Sequence, residues 1–149
     1  MDFAYNDEQK EIIKVVRDLV EKEIKPYALE MDETEALREG LLDKLAAQGL
    51  LGVAIPEEFG GSGLDAVTIA AIYEELGKGC AGVATTVAAN ALASYPVIIA
   101  GNDDQKKRYF DIINNDHLAA FALTEPGTGS DAGSVSTQAR KTEDGGGYL

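Results

Sequence analysis

The sequence Leu-Ala-Ala-Phe-Ala-Leu-Thr-Glu-Pro-Gly-Thr-Gly-Ser-Asp, at residues 118–131, divides the chain into two parts. Its first six residues form a short apolar run that ends at turn residues, a pattern typical of a buried β-strand. A loop with one proline and two glycines follows, and residues 134–141 then alternate weakly, as in an edge or half-exposed strand. The sequence therefore predicts β-structure only after residue 117.

The residues before this stretch have the spacing of α-helices. Asn6 and Gln9 stand at the spacing of a capping box, and a stripe of aliphatic residues follows at helical intervals up to Pro26. Because proline cannot continue a helix, we expect an end or kink near Pro26, after which the chain can resume as a short helix. Four further helices are predicted, at about residues 35–48, 65–77, 83–100 and 102–114.

These patterns predict a mainly α fold class. We expect a bundle of about five helices at residues 1–117, followed by the first strands of a β-domain at residues 118–149. The helix at about residues 83–100 is almost uncharged, and Pro96 would kink it. A helix that is apolar on every side is usually buried in the centre of a bundle. No apolar run reaches the length of about 18 residues that a membrane span needs.

Composition limits the classes of partner. The chain has 149 residues and a formal net charge of −13, from 13 basic and 26 acidic residues. This balance argues against binding to nucleic acid or to an anionic membrane surface, since both require clustered lysine and arginine. Cys80 is the only cysteine, so no disulfide within the chain is possible. With no leader pattern at the N-terminus, we expect a cytoplasmic, prokaryotic protein without membrane insertion.

The glycine-rich loop is the stretch with most chemical character. Gly127 and Gly129 permit close backbone approach and positive φ, and successive N–H groups in such a loop can bind an anion such as a pyrophosphate. Thr124 and Ser130 add hydroxyl groups. The same composition is common in ordinary turns, and from composition alone the turn is favoured. The loop lacks the lysine of a phosphate-binding Walker sequence.

Other polar groups are better explained as structural. Adjacent carboxylates at Glu57 and Glu58 and the basic cluster at residues 106–108 are typical of solvated surfaces. Histidine is a residue type that can act as a general base, but His117 has no cysteine or serine nucleophile near it in the sequence. The small residues of the fourth helix indicate either close packing or room for an apolar ligand, and packing is favoured.

Residues 121–131 resemble the flavin-loop signature of the acyl-CoA dehydrogenase family. Residues 52–63 and 99–109 agree with the same family in order and spacing, so the resemblance covers essentially the whole chain. It implies a helical N-terminal domain, a middle β-domain and a C-terminal helical bundle, with FAD as cofactor in a homo-oligomer, often a tetramer. It also implies oxidation of acyl-CoA to trans-2-enoyl-CoA, with hydride passing to flavin N5 and electrons leaving to an electron-transferring flavoprotein.

The resemblance assigns roles to individual positions. FAD contacts fall on loop residues: Phe121, Leu123, Thr124, Gly129 and Ser130. Leu123 would offer its backbone N–H and Thr124 its hydroxyl to the isoalloxazine ring. Gly129 and Ser130 would approach the pyrophosphate, and Ser130 would also touch the pantetheine arm of the substrate. The wall of the acyl-chain pocket falls on the fourth helix: Ala84, Thr85, Ala88 and Leu92.

Two departures from the family qualify this assignment. The chain stops at Leu149, where the family continues its β-domain, and it lacks the C-terminal bundle that normally supplies the catalytic carboxylate. No catalytic base is therefore assigned, no metal site is expected, and the 149-residue chain alone is expected to be inactive. Two alternatives stay open: a stand-alone, non-catalytic helical interaction module, and an acyl-CoA oxidase-like flavoprotein.

Overall fold

The computed structural model describes residues 4–116 and 118–149, with the backbone alone for residues 115 and 116. His117, which the sequence favours as a structural residue, lies outside the described residues. The α-helices are α1 (Asp7–Leu19), α2 (Ala28–Thr34), α3 (Leu41–Ala47), α4 (Ala66–Gly79), α5 (Ala81–Ala100) and α6 (Asp103–Asp116). Shorter turns of helix lie between and after them: a π-turn at Val20–Ile24 and 3-10 turns at Lys25–Tyr27, Leu50–Gly52, Glu57–Phe59 and Ala132–Ser134.

Side-chain caps fix where three helices begin. The Asn6 side chain accepts the backbone N–H of Gln9 at 2.8 Å, and the Gln9 side chain accepts that of Asn6 at 3.1 Å. Asn102 and Gln105 form the same reciprocal pair before α6, with both distances 2.9 Å. Asp65 accepts two backbone N–H groups at the start of α4. These caps satisfy N–H groups that have no partner within the helix, and the capping box predicted for Asn6 and Gln9 is confirmed.

Backbone conformation sets the boundaries around α2 and α3. Helix α1 gives way to a π-turn and then to the 3-10 turn that contains Pro26, and the chain resumes as α2, as expected. The prediction of a helix beginning near residue 35 is wrong, because Glu35 has φ of 53° and Gly40 has φ of 73°. Left-handed residues interrupt a right-handed helix. Gly49, with φ of 71°, follows the end of α3, close to the end predicted at about residue 48.

Helix α4 packs against both α1 and α5, and the main core lies among these helices and α3. Arg17 of α1 and Glu75 of α4 form an ion pair across this packing. A smaller apolar cluster of Ile55, Phe110 and Ile113 joins α6 to the loop after α3. Phe59 stacks on Phe110 in this cluster, with ring centroids 5.1 Å apart. The predicted helical bundle is confirmed.

Helix α5 is buried on one side only, so the prediction of burial on every side is wrong. Val83, Val87 and Ser94 face the core, whereas Leu92 and Ile99 are 49% and 81% exposed. The described neighbours of α5, chiefly α4 and the 3-10 turn at Leu50–Gly52, cover a single face. In α6, Phe110 and Ile113 are buried, whereas Ile112 is 49% exposed.

By length and composition, the 20-residue helix α5 could cross a membrane, which contradicts the expectation that no apolar run is long enough. The core helix of a soluble bundle meets the same criterion. In this structure one face of α5 packs against α4 and carries buried side chains, among them the polar Asn90 and Ser94, whereas Leu92 and Ile99 are exposed.

The strands predicted at residues 118–123 and 134–141 are not formed within the described residues. This part of the chain contains isolated bridges, between Glu125 and Thr128 and between Lys141 and Tyr148. A strand needs a hydrogen-bonded neighbour and an apolar cover. The described residues provide no neighbouring strand along residues 118–123, and Phe121 and Leu123 lack apolar cover, being 39% and 45% exposed.

Candidate functional site

The glycine-rich loop is closed on itself by backbone hydrogen bonds. The N–H of Glu125 donates to the carbonyl of Thr128 at 3.1 Å, and the N–H of Thr128 donates back at 3.0 Å. The buried Thr128 hydroxyl donates to the carbonyl of Ser134 at 3.1 Å. These bonds hold residues 125–134 in one defined shape without help from a sheet.

The Glu125 carboxylate fastens this loop to the segment that follows it. It accepts the backbone N–H of Ser136 at 2.8 Å, the Ser136 hydroxyl at 2.7 Å and the backbone N–H of Thr137 at 2.9 Å. The hydrogen bonds from Thr137 and Ser136 stabilise the charged form and lower the pKa of Glu125 to about 2. The sequence analysis assigned Glu125 no role of its own. The usable signal was a carboxylate at the start of a loop that is followed by two hydroxyl residues, Ser136 and Thr137.

The outer side of the loop leaves its binding groups available. Within residues 4–116 and 118–149, the hydroxyl groups of Thr124 and Ser130 make no hydrogen bond to the protein. A Cβ added to Gly127 or Gly129 would meet no atom within 4 Å, so a ligand can approach the backbone closely. Neither glycine has positive φ, so openness is what they contribute.

Apolar side chains lie on the same segment as these polar groups. Phe121 and Leu123 are both well exposed and stand directly before Thr124. The segment therefore offers apolar surface at residues 121–123 and hydroxyl and N–H groups at residues 124–130. This order suits a ligand in which a planar ring is joined by a linker to an anionic group. The isoalloxazine ring and the pyrophosphate of FAD are joined in this way, so the residues present are compatible with the cofactor that the resemblance implies.

The predicted acyl-chain positions share one face of α5. Ala84 and Ala88 are half-buried, and Thr85 and Leu92 are exposed. The Thr85 hydroxyl donates to the carbonyl of Ala81 at 2.8 Å, so this residue turns its polar group back into its own helix. In the described residues no hydrogen bond joins these four positions to the loop.

A buried amide connects α5 to the segment that carries the loop. The Asn90 side chain is fully buried, donates to the carbonyl of Leu51 at 3.2 Å and accepts the backbone N–H of Ala119 at 2.7 Å. Sequence reasoning missed this residue, although a polar side chain within an otherwise apolar helix was a usable signal. No group of acidic, histidine and cysteine side chains suited to a metal ion occurs among the described residues.

Comparisons with known proteins agree on one family. The family model described as acyl-CoA dehydrogenase, N-terminal domain, matches residues 6–114. The 3-(aryl)acrylate reductase of Clostridium sporogenes is 41% identical over 141 residues, which are 92% of this chain and 37% of that protein.

Solved structures give the same result. The butyryl-CoA dehydrogenase of Megasphaera elsdenii superposes with a TM-score of 0.82 and 35% identity, over 97% of this chain and 39% of that one. An acyl-CoA dehydrogenase of Bacillus anthracis complexed with FAD gives a TM-score of 0.83 and 37% identity, over 97% of this chain and 25% of that one. The chain thus spans well under half the length of these proteins.

Proposed function

Because this chain belongs to the acyl-CoA dehydrogenase family, we propose that it forms the N-terminal helical domain (residues 1–117) and the beginning of the middle β-domain (residues 118–149) of an FAD-dependent acyl-CoA dehydrogenase. The observation that carries the proposal is the loop at residues 121–130, closed by its own hydrogen bonds and open on its outer side. The whole enzyme oxidises acyl-CoA thioesters to trans-2-enoyl-CoA.

In this proposal the loop holds the cofactor. The backbone N–H of Leu123 and the hydroxyl of Thr124 hydrogen-bond the flavin ring, and Phe121 covers part of its apolar surface. Gly129 and Ser130 bind the pyrophosphate. Since the chain carries a net charge of −13, backbone N–H groups and hydroxyls must offset the phosphate charge locally. When bound, FAD supplies the group that accepts a hydride from the substrate.

The substrate contacts follow from the same segment and from α5. Ser130 touches the pantetheine arm of acyl-CoA, and the acyl chain lies along the exposed face of α5: Ala84, Thr85, Ala88 and Leu92. These side chains present methyl and methylene groups, because the Thr85 hydroxyl is bonded within the helix. This chain supplies no catalytic carboxylate, which we place in the remainder of the enzyme. The electron acceptor is an electron-transferring flavoprotein, and the enzyme is a cytoplasmic, prokaryotic homo-oligomer.

Reduction of an acrylate-type double bond is a second candidate. The observation that favours it is the 41% identity to a protein named as a 3-(aryl)acrylate reductase. The same binding groups serve both directions of electron transfer, so the direction is decided by assay with both kinds of substrate.

The test uses a chimera, defined as this chain followed by the part of the Megasphaera elsdenii butyryl-CoA dehydrogenase that it does not cover. We expect the chimera to bind FAD and to reduce it under anaerobic conditions when an acyl-CoA is added. Thr124→Val and Ser130→Ala should each weaken FAD binding about tenfold, since a hydrogen bond to a bound group contributes about 1–1.5 kcal/mol.

Thr34→Val is the matched control. Its hydroxyl bonds the carbonyl of Glu30 within α2, away from the loop, so FAD affinity should not change. A chimera that unfolds cooperatively but binds no FAD would refute the proposal. Equal FAD affinity in wild type, Thr124→Val and Ser130→Ala would refute the assignment of the loop.

A further inference from the structure

Asn90 makes a bridge between three parts of the chain that are distant in sequence. It lies in the middle of α5, and its side chain is completely buried. Its Nδ2 donates to the carbonyl of Leu51, in the 3-10 turn after α3, and its Oδ1 accepts the N–H of Ala119. One amide therefore ties α5, this turn and the segment that begins the loop.

An asparagine at this position has a specific chemical use. Asparagine is a weak helix former, and a buried polar side chain is unfavourable unless it is hydrogen-bonded. The amide offers a donor and an acceptor from one short side chain, as a backbone peptide group does. It can therefore donate to a carbonyl on one side and accept from an N–H on the other. Leucine offers neither group, ionised aspartate offers acceptors only, and the hydroxyl of serine is on a shorter side chain.

The bond to Ala119 is important for the residues beyond it. Within the described part of the chain, residues 118–124 are joined to the helices by one hydrogen bond, from the Ala119 N–H to the Asn90 side chain. The Ala119 side chain also packs on the small cluster of Ile55, Phe110 and Ile113. Consecutive Cα atoms are about 3.8 Å apart, so fixing residue 119 restricts where residues 121–124 can lie.

We propose that Asn90 is a positioning residue of the flavin site: from inside α5 it fixes Ala119, and thereby holds Phe121, Leu123 and Thr124 in register with the helical domain. This inference rests on the proposed function. Asn90 itself touches neither cofactor nor substrate in this account. It couples the face of α5 that carries Ala88 and Leu92 to the loop, so that the acyl chain and the flavin ring are held in a fixed relation.

The first test is amide hydrogen exchange in the 149-residue chain, measured by NMR. The Ala119 amide should exchange at least tenfold more slowly than that of Ala120, for which the described residues provide no acceptor. Asn90→Leu should remove this difference. Ser94→Ala, which deletes a buried hydroxyl one turn further along α5, should leave it unchanged. Equal exchange at Ala119 and Ala120 in the folded wild type overturns the inference, even if Asn90→Leu does not fold.

The second test is FAD affinity in the chimera, which separates positioning from stability. Asn90→Leu should bind FAD at least tenfold more weakly, with an altered visible spectrum of the flavin that remains bound. Ser94→Ala should keep wild-type affinity and spectrum even though it also loses a buried hydrogen bond. Wild-type affinity in a folded Asn90→Leu chimera overturns the positioning role and leaves the proposed function intact. A folded wild-type chimera without FAD overturns the proposed function, and the positioning role with it.

Discussion

Replacing Glu75 with glutamine should weaken the packing of α1 on α4. The Glu75 side chain is 6% exposed and receives two hydrogen bonds from the Arg17 guanidinium, at 2.8 and 3.0 Å. Lys78 adds a third contact at 2.8 Å. The hydrogen bonds from Arg17, opposed by burial and supported by those from Lys78, lower the pKa of Glu75 to about 2. Glutamine keeps the shape of this side chain but removes the charge that both cations face.

The magnitude follows from this pKa. The ordinary value is 4.5, and a difference of one pKa unit corresponds to about 1.4 kcal/mol, so the carboxylate contributes at most about 3.5 kcal/mol at neutral pH. Arg17 and Lys78 are 56% and 53% exposed, and water therefore screens their interaction with Glu75. We expect Glu75→Gln to lower the free energy of unfolding by roughly 2 kcal/mol at pH 7.

The effect should depend on pH in one direction. Because the folded-state pKa of Glu75 is depressed, its contribution is complete above the unfolded value of about 4.5. It is lost progressively as the pH falls towards about 2, where the folded protein also protonates this carboxyl. The difference between wild type and Glu75→Gln should accordingly shrink to less than half between pH 6 and pH 3.

The assay is urea denaturation followed by circular dichroism at several pH values. Glu74→Gln is the matched control, because Glu74 is 61% exposed and pairs with Lys78 alone, at 2.9 Å. This variant should change the free energy of unfolding by less than about 0.5 kcal/mol. Equal losses in the two variants at pH 7, or a loss in Glu75→Gln that stays constant down to pH 3, would refute the reasoning.

Four further substitutions give separate tests. Gly61→Ala should destabilise the fold by about 3 kcal/mol in urea melts, because its Cβ would collide with the backbone of Ile55; a loss below about 1 kcal/mol would contradict this. Gly77→Ala, inside α4 with open space around it, should instead raise stability by about 0.5–1 kcal/mol in the same melts; a loss would show that the site is crowded. Tyr73→Phe should raise stability by about 1 kcal/mol, since the buried Tyr73 hydroxyl has no partner among the described residues and burial raises its pKa to about 12; a clear loss would reveal a partner. Glu125→Gln should speed hydrogen exchange of the Thr137 amide in NMR. In the wild type this amide should stay protected below pH 4, because the folded-state pKa of Glu125 is about 2; unchanged exchange in the variant would show that the Glu125 carboxylate does not hold Thr137.

Local signals in the sequence accounted well for the helix starts. The caps at Asn6, Asp65 and Asn102 depend on a side chain and an N–H two or three residues away, so spacing alone is informative. The break at Pro26 is local for the same reason. The error at residues 35–40 arose because Glu35 adopts a left-handed conformation, which is uncommon for a residue with a side chain.

Features that depend on distant residues were harder to predict. Which sides of α5 are covered depends on where α4 and the turn after α3 pack, and the composition of α5 carries no such information. The apolar run at residues 118–123 has the pattern of a strand, but a strand forms only against a neighbour. The pattern therefore indicated the preference of residues 118–123 for an extended conformation, but it could not show that the described residues provide no neighbouring strand.

The sequence placed the candidate site on the loop at residues 121–130, and the structure describes the hydrogen bonds that shape this loop. The roles of its residues in binding stay predictions. The supports of the loop, Glu125 and Asn90, act over 11 to 39 residues of sequence separation. Pairings of this kind become visible only when the folded chain brings their partners together.

The measurement that tests the central claim most directly is the FAD content of the purified chimera. The account predicts a yellow protein with FAD and polypeptide in equal amounts, and a flavin content that falls in Thr124→Val, Ser130→Ala and Asn90→Leu but not in Thr34→Val. A folded, colourless chimera, or one whose FAD content is the same in all of these variants, would contradict the claim that this chain carries the flavin loop of an acyl-CoA dehydrogenase.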